Sequence, residues 1–218
     1  MEIPNLTFDQ PSHTYYFMGR RVPNVTRIID VLVGYDSIPA DVRERVLLEG
    51  RHIHNMSDLH FKRDLEETTL PDWLRPRLKA LKLFEAETGF VMEASEARVY
   101  HHAHAYAGTL DLVGTLPLLH QDTAILDIKR SFFAGPVIGL QTAAYLEAEN
   151  ERRRKLKLAK VKRRYGLQLK PNGRYALEEF KDDGDFTVFV GLLNAYRYCE
   201  RHGINRIWNF NHSQEKAA

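Results

Sequence analysis

Cysteine is almost absent from this chain: Cys199 is the only one in 218 residues. One thiol cannot build a disulfide framework, nor supply the four cysteines of a zinc or iron–sulfur site within one chain. A reducing, cytoplasmic setting is therefore expected. Long apolar runs are missing too. None approaches the ~20 residues that span a bilayer, so no membrane partner is expected. Met1-Glu2-Ile3-Pro4-Asn5 has neither a basic n-region nor an apolar h-region, and no signal peptide is expected. No Gly-x-x-x-x-Gly-Lys-Ser/Thr string occurs, so the polypeptide carries no recognisable P-loop motor. Net charge is scarce as well, at +2. That value alone names no polyanionic partner.

What charge there is, however, is segregated. Arg152, Arg153, Arg154, Lys155, Lys157, Lys160, Lys162, Arg163 and Arg164 crowd together with only Glu151 beside them, which leaves the remainder net acidic. Such a run suits a phosphate backbone. A solvated helix face or a loop is the competing explanation.

A chain of this length buries roughly 70% of its unfolded surface, enough for one domain without staples. His13 to Val22 reads as a short hairpin turning at Met18-Gly19. A helix capped by Asn24 or Thr26 follows through Ile28, Ile29, Leu32 and Val33, ended by Gly34. A second helix is expected from Pro39 toward Leu65, and its Gly50 costs about 1 kcal/mol relative to alanine; close backbone approach would be one reason for it. A third helix runs from Trp73 to Thr88, stopped by Gly89. The period then changes, giving strands at Phe90–Tyr100, Tyr106–Leu116 and Thr123–Ile128. A helix from Pro136 to Lys160, a hairpin turning at Asn172-Gly173 and a last helix from Asp183 or Asp185 to Gly203 complete the pattern. The fold class expected is α/β, a central mixed β-sheet flanked by helices.

Chemistry concentrates between Tyr106 and Tyr145. Asp111 stands in the apolar strand Gly108-Thr109-Leu110-Asp111-Leu112-Val113, and Asp127 and Lys129 close the next one. Residues i and i+2 of a strand share a face, so the Asp127 carboxylate and the Lys129 ammonium are presented together, with the Ile128 carbonyl available nearby. Charges in apolar strands are costly unless they bind something. Two carboxylates and a carbonyl are the hard oxygen donors preferred by Mg²⁺ or Mn²⁺, ions that polarise a phosphodiester and acidify water. Lys129 could orient or deprotonate that water. Alone, an Asp-x-Lys on a strand more often marks an edge or a solvated face.

The ordered set Gly108-Thr109-Leu110-Asp111, Asp127-Ile128-Lys129 and Gln141-x-x-x-Tyr145, preceded by Gly50-Arg51-His52-Ile53-His54, resembles the PD-(D/E)XK nuclease superfamily. Its RecB-like branch, with nuclease domains of recombination helicases and CRISPR-adaptation proteins, is the most similar, and compact phage-type exonucleases are the expected relatives. Val22-Pro23-Asn24-Val25-Thr26 and Arg164 to Leu169 extend the resemblance over most of the chain. It implies a restriction-endonuclease-like core and a single nuclease domain over 1–218. Residues 1–35 would form a hairpin–helix element and 165–203 a C-terminal hairpin plus helix. It also implies metal ligands at His54, Asp111, Asp127 and the Ile128 carbonyl, with Glu96 as a further candidate and Glu93 as its competitor. Gln141 and Tyr145 would touch the scissile strand and Lys129. Arg130, Arg152, Arg153, Arg154, Lys155, Arg163 and Arg164 are the DNA-binding candidates. The single cysteine departs from relatives that hold an iron–sulfur cluster, and none is expected.

His101, His102 and His104 invite a zinc reading, but no HExxH helix or cysteine pair accompanies them, so a polar turn is expected. His52 and His54 lie roughly 200° apart on a helix and cannot face one metal. Trp73 and Trp208 are expected to pack. The function expected is a Mg²⁺- or Mn²⁺-dependent deoxyribonuclease, an exonuclease in recombination, repair or phage DNA processing. A structure-selective or restriction-like endonuclease is the same-class alternative. A non-catalytic DNA-binding recombination accessory protein is the other. DNA is the expected partner, with a recombinase, single-strand-annealing protein or helicase as a possible associate and an oligomer allowed.

Overall fold

The computed structural model describes residues 3–33, 39–131 and 135–204. The expectations for Gly34 and Trp208 fall outside them. Strands β1 (Leu6–Asp9), β2 (Thr14–Phe17) and β3 (Arg20–Val22) form a small antiparallel meander. The hairpin expected at 13–22 is β2–β3; β1, only four residues long, escaped the sequence pattern. Helix α1 (Val25–Val33) follows, its first turn capped by Asn24, whose Oδ1 accepts from the Arg27 N–H at 2.8 Å. Helices α2 (Ala40–Lys62) and α3 (Arg75–Thr88) come next. Strands β4 (Val91–His101), β5 (Tyr106–Leu116) and β6 (His120–Lys129) are followed by α4 (Pro136–Lys155), β7 (Arg163–Leu169), β8 (Tyr175–Glu179) and α5 (Asp185–His202).

The five longer strands make one sheet in the order β4-β5-β6-β7-β8. Only β6–β7 is parallel, because α4 crosses between them; the other neighbours pair antiparallel. The expected mixed sheet flanked by helices is the architecture observed. Both faces are covered, as the continuously apolar β5 and β6 require. On one side α2 and α3 bring Ile53, Met56, Leu78, Leu81 and Phe84 against Leu112, Leu116, Leu126 and Leu167. On the other, α1, α4 and α5 bring Val25, Ile28, Leu140, Ala144, Phe189 and Leu193 against Val99, Leu110, Val113 and Ile125. The small meander packs Leu6 and Tyr15 on Tyr100 and Ala107.

Two expectations need correcting. Helix α4 ends at Lys155 rather than Lys160. Asn150 pulls the chain back by accepting from the Val161 N–H at 2.8 Å and donating to its carbonyl at 3.0 Å, and Lys157 takes a left-handed φ of 56°. Gly50 is not explained by close backbone approach either: a Cβ built there meets nothing within 4 Å.

Gly50 therefore bears a helix-propensity cost with no packing reason among the described residues. Gly50→Ala should raise stability by roughly 0.5–1 kcal/mol, about 1–4 °C in Tm for a chain of this size. A lower Tm in a thermal melt would show that the space beside Gly50 is needed.

Candidate metal centre

Regular strands alternate their side chains; besides the register shift between Met92 and Ala94, β4 and β5 break that alternation together at one further place. Ala94 and Ala97 both pack in the layer with α4, as do Leu110 and Val113, although each pair is three residues apart. Two consecutive residues in each strand must then face the α2 side. On β4 these are Ser95, whose hydroxyl donates to Asp58 Oδ1 at 2.6 Å, and Glu96. On β5 they are Asp111 and Leu112. Glu96 marks the slip with φ 46°, a left-handed conformation that costs a non-glycine residue about 1–3 kcal/mol. Register places it opposite Asp111, between the pairs Ser95↔Leu112 and Ala97↔Leu110.

Helix α2 supplies the third member. His54 Nδ1 lies 3.2 Å from Asp111 Oδ1 and 3.9 Å from Glu96 Oε1. One donor atom from each of His54, Glu96 and Asp111 falls within 4.8 Å of the others, a set that could hold a metal ion. Burial pushes the His54 pKa down, but Asp111 and Glu96 more than offset this and hold it at about 10. Asp111 lies below the usual carboxylate range, because His54 outweighs the effect of its own burial. The imidazolium thus neutralises the same oxygens that a cation would use.

Beside this group, the β5–β6 pairing stops at Leu112↔Leu126. The Asp111 carboxylate takes over the ladder's role there, its Oδ2 accepting from the Ile128 N–H at 2.6 Å. Ile128 itself turns into the α2–α3 core. Asp127 is buried; its Oδ2 lies 2.6 Å from Lys129 Nζ, and its Oδ1 has no hydrogen-bond partner among the described residues. Burial pushes the Asp127 carboxyl up to about 6, against the pull of Lys129. A buried carboxylate oxygen left without a donor is costly in a protein interior and fits a cation better than it fits an empty structural role.

From the opposite layer, α4 brings Gln141, whose Oε1 accepts from Lys129 Nζ at 3.0 Å. Tyr145 stands one turn further along, and Gln141 Nε2 donates to its hydroxyl at 3.2 Å. Sequence reasoning put Tyr145 against the scissile strand. Its ring is buried over Gly108, where any Cβ would sit 2.6 Å from Tyr145 Cε1, and its hydroxyl meets Gln141, which in turn holds Lys129. His52 points away, edge-on to Trp73 at 5.9 Å. Glu93 is remote from this group, paired with Arg153. His101 is buried, stacked on Tyr106 and Phe186 and 3.2 Å from Glu151, so the histidine turn packs rather than coordinates.

The basic run is largely consumed inside the protein. Arg153 and Arg164 are buried. Arg153 pairs with Glu149 and Glu93 and donates to the Ala159 carbonyl. Arg164 binds Asp185 and the carbonyls of Gly139 and Asp182. Arg152 pairs with Glu149, and Arg163 with Asp122 and Glu179. Arg154 and Lys155 stay exposed, yet α4 carries them ~20 Å from Gln141 at 1.5 Å per residue. Of the candidates, Arg130 alone stays next to the centre, half-buried and 3.7 Å from Glu49. Sequence reasoning missed Asp58 and the Tyr15–Thr109 hydrogen bond of 2.7 Å that ties the meander to β5 two residues before Asp111. It had no signal for either.

No protein-family model matches the chain, and no curated protein matches its sequence. Several solved structures resemble it. LHK-Exo in complex with dAMP is 13% identical, with 84% of this chain and 89% of that one covered and a TM-score of 0.40. SSO0001 is 15% identical over 80% and 74%, with a TM-score of 0.36. An alkaline exonuclease, LHK-Exo from Laribacter hongkongensis, is 13% identical over 83% and 92%, with a TM-score of 0.33. At these scores the likenesses carry no argument about activity, which rests on the geometry above. Among the described residues no helix is long and apolar enough to cross a membrane.

Titration with MnCl₂ in a calorimeter should show one site that Asp111→Ala weakens at least tenfold, about 1.4 kcal/mol. Equal Mn²⁺ affinity in the two proteins would remove the metal reading. Arg153→Ala should destabilise by roughly 3 kcal/mol in urea, because it strands a buried acid. An unchanged midpoint with weakened DNA binding would return Arg153 to the DNA interface.

Proposed function

We propose that this chain is a divalent-metal-dependent deoxyribonuclease that hydrolyses DNA phosphodiesters from ends. One observation carries the reading. Lys129 Nζ is held 2.6 Å from Asp127 and 3.0 Å from Gln141, beside a His54–Glu96–Asp111 group able to hold a cation and a buried Asp127 oxygen that has no donor among the described residues. Acids and a lysine gathered where the end of β6 parts from the middle of β5 support a restriction-endonuclease-like reading.

His54, Glu96, Asp111 and Asp127 would hold the metal. When bound, Mg²⁺ or Mn²⁺ supplies Lewis acidity toward a phosphodiester and lowers the pKa of water. The imidazole donor tilts the choice toward Mn²⁺, since Mg²⁺ favours an all-oxygen shell. Lys129, fixed between a carboxylate and an amide carbonyl, is a preorganised donor for charge that develops on the phosphate and for orienting an attacking water. Gln141 holds the ammonium in place, and Tyr145 holds Gln141. Asp111 also ties β5 to the end of β6 through the Ile128 N–H, so its loss would loosen the centre as well as remove a ligand.

The test is to incubate linear and covalently closed circular DNA with Mn²⁺, Mg²⁺ or EDTA. Loss of linear DNA alone, absent with EDTA and cut at least about 100-fold by Asp127→Ala and by Lys129→Ala, is the expected result. Nicking of the circle would make the enzyme an endonuclease instead. DNA binding without cleavage under either metal would leave only a binding protein.

A further inference from the structure

The slip that turns Glu96 toward α2 also sets the place of the next outward residue on β4. Arg98 pairs across the sheet with Thr109, as Glu96 lies opposite Asp111, so four side chains form a two-by-two block on the side away from α4. Two residues of strand separate the Glu96–Asp111 pair from the Arg98–Thr109 pair, roughly 6.6 Å. Arg98 and Glu96 are both near enough to the Tyr15 hydroxyl to act on its ionisation.

Arg98 is exposed, and no carboxylate lies within ion-pair distance of it among the described residues. Most arginines whose side chains are described around the sheet do have acid partners, including Arg130, Arg152, Arg153, Arg163 and Arg164. Arg98 is nonetheless steadied. Its guanidinium lies over the Phe8 ring, 5.5 Å from the centroid. Phe8 packs on Tyr15 at 4.5 Å, and Tyr15 is bonded to Thr109 at 2.7 Å. The meander thus holds an uncompensated, planar cation at the rim of a group of acids that a polyanion has to approach. A guanidinium suits a phosphate diester because it presents paired N–H donors to two oxygens. DNA repeats every ~3.4 Å of rise along a strand, so this reach covers the linkages next to the one at the metal group.

We propose that Arg98, supported by Phe8, binds a backbone phosphate adjacent to the scissile phosphodiester, so that the DNA strand leaves the centre across the β1–β2 face. This rests on the nuclease reading above. Its test uses duplexes that each carry one neutral methylphosphonate at a position counted from the observed cut, with cleavage measured in Mn²⁺ by the full chain. One position should cost the wild-type protein about 10–30-fold in kcat/KM. Arg98→Ala should lose a similar factor on ordinary DNA, be indifferent to that one neutral linkage, and melt with the wild type. Arg98→Lys should recover part of the loss. If every neutral linkage costs Arg98→Ala what it costs the wild type, or Arg98→Ala cleaves normally, the proposal fails while the nuclease reading stands. If the wild type cuts no DNA, the nuclease reading fails, and binding of the unmodified duplex decides for Arg98. Its removal should then lower the slope of log affinity against log salt by about 1; an unchanged slope overturns the proposal.

Discussion

A β-strand cannot present two neighbouring side chains to one side without a break in its backbone, and the candidate centre depends on such a break. With strict alternation, Asp111 and Leu112 would lie on opposite faces, as would Ser95 and Glu96. Both cross-strand partners slip together, which keeps their register: Ser95↔Leu112 and Ala97↔Leu110 flank the slip with no residue gained or lost. The cost falls on Glu96, held at φ 46°. Bulges and similar breaks re-aim side chains beside functional sites. Here the effect is to turn two acids toward His54 while Ala97 and Leu110 stay in the other core layer. His54 can meet them because Ile53 and Met56 seat α2 on the same sheet face. The packing of α2 and the slip are thus one device.

Electrostatics then decide what the assembly can be. Asp111 and Asp127 are buried, and each acts on the other through the gap where β5 and β6 part. Like charges so placed destabilise the fold unless countered. His54 and Lys129 counter them, one from each side of the sheet, and Asp111 also gains the Ile128 N–H. The compensation is incomplete at Asp127, whose buried Oδ1 has no donor among the described residues. A purely structural cluster would gain by protonating or replacing that residue. An arrangement that keeps it gains most from a multivalent cation, which binds several of these oxygens at once.

Much of this was legible from residues alone, and the reasons for the failures are specific. Acids in otherwise apolar strands exposed Asp111, Asp127 and Lys129, and helical spacing placed Gln141 one turn from Tyr145. The sheet followed from runs too apolar to face water. Periodicity assumes regular alternation, however, so it could not show that Glu96 rather than Glu93 turns inward. Nor could it show that Tyr145 is buried, because that depends on Gly108, distant in sequence, leaving room for its ring. The end of α4 was misplaced for a similar reason: helix-forming residues continue to Lys160, but Asn150 binds Val161 and turns the chain.

The basic run is the most instructive case. Nine cations in thirteen positions read as a nucleic-acid surface when only the local sequence is counted, since apart from Glu149 just before the run the acids that neutralise them include the distant Glu93, Asp122, Glu179 and Asp185. Folding converts half of that apparent surface into internal ties, which staple the far end of α4 and the start of β7 to the sheet. A phosphate backbone has to be gripped near the chemistry, and affinity there depends on cations that keep their charge uncompensated while their geometry is fixed. A long side chain free in solvent loses rotamer entropy on binding, whereas one already seated on an aromatic ring loses less. By that criterion the count of basic residues is a poor guide to the DNA path proposed for this fold. The better guide is the rarer combination of an exposed guanidinium, an aromatic support and a register position beside the acids, which β4 provides and the end of α4 does not.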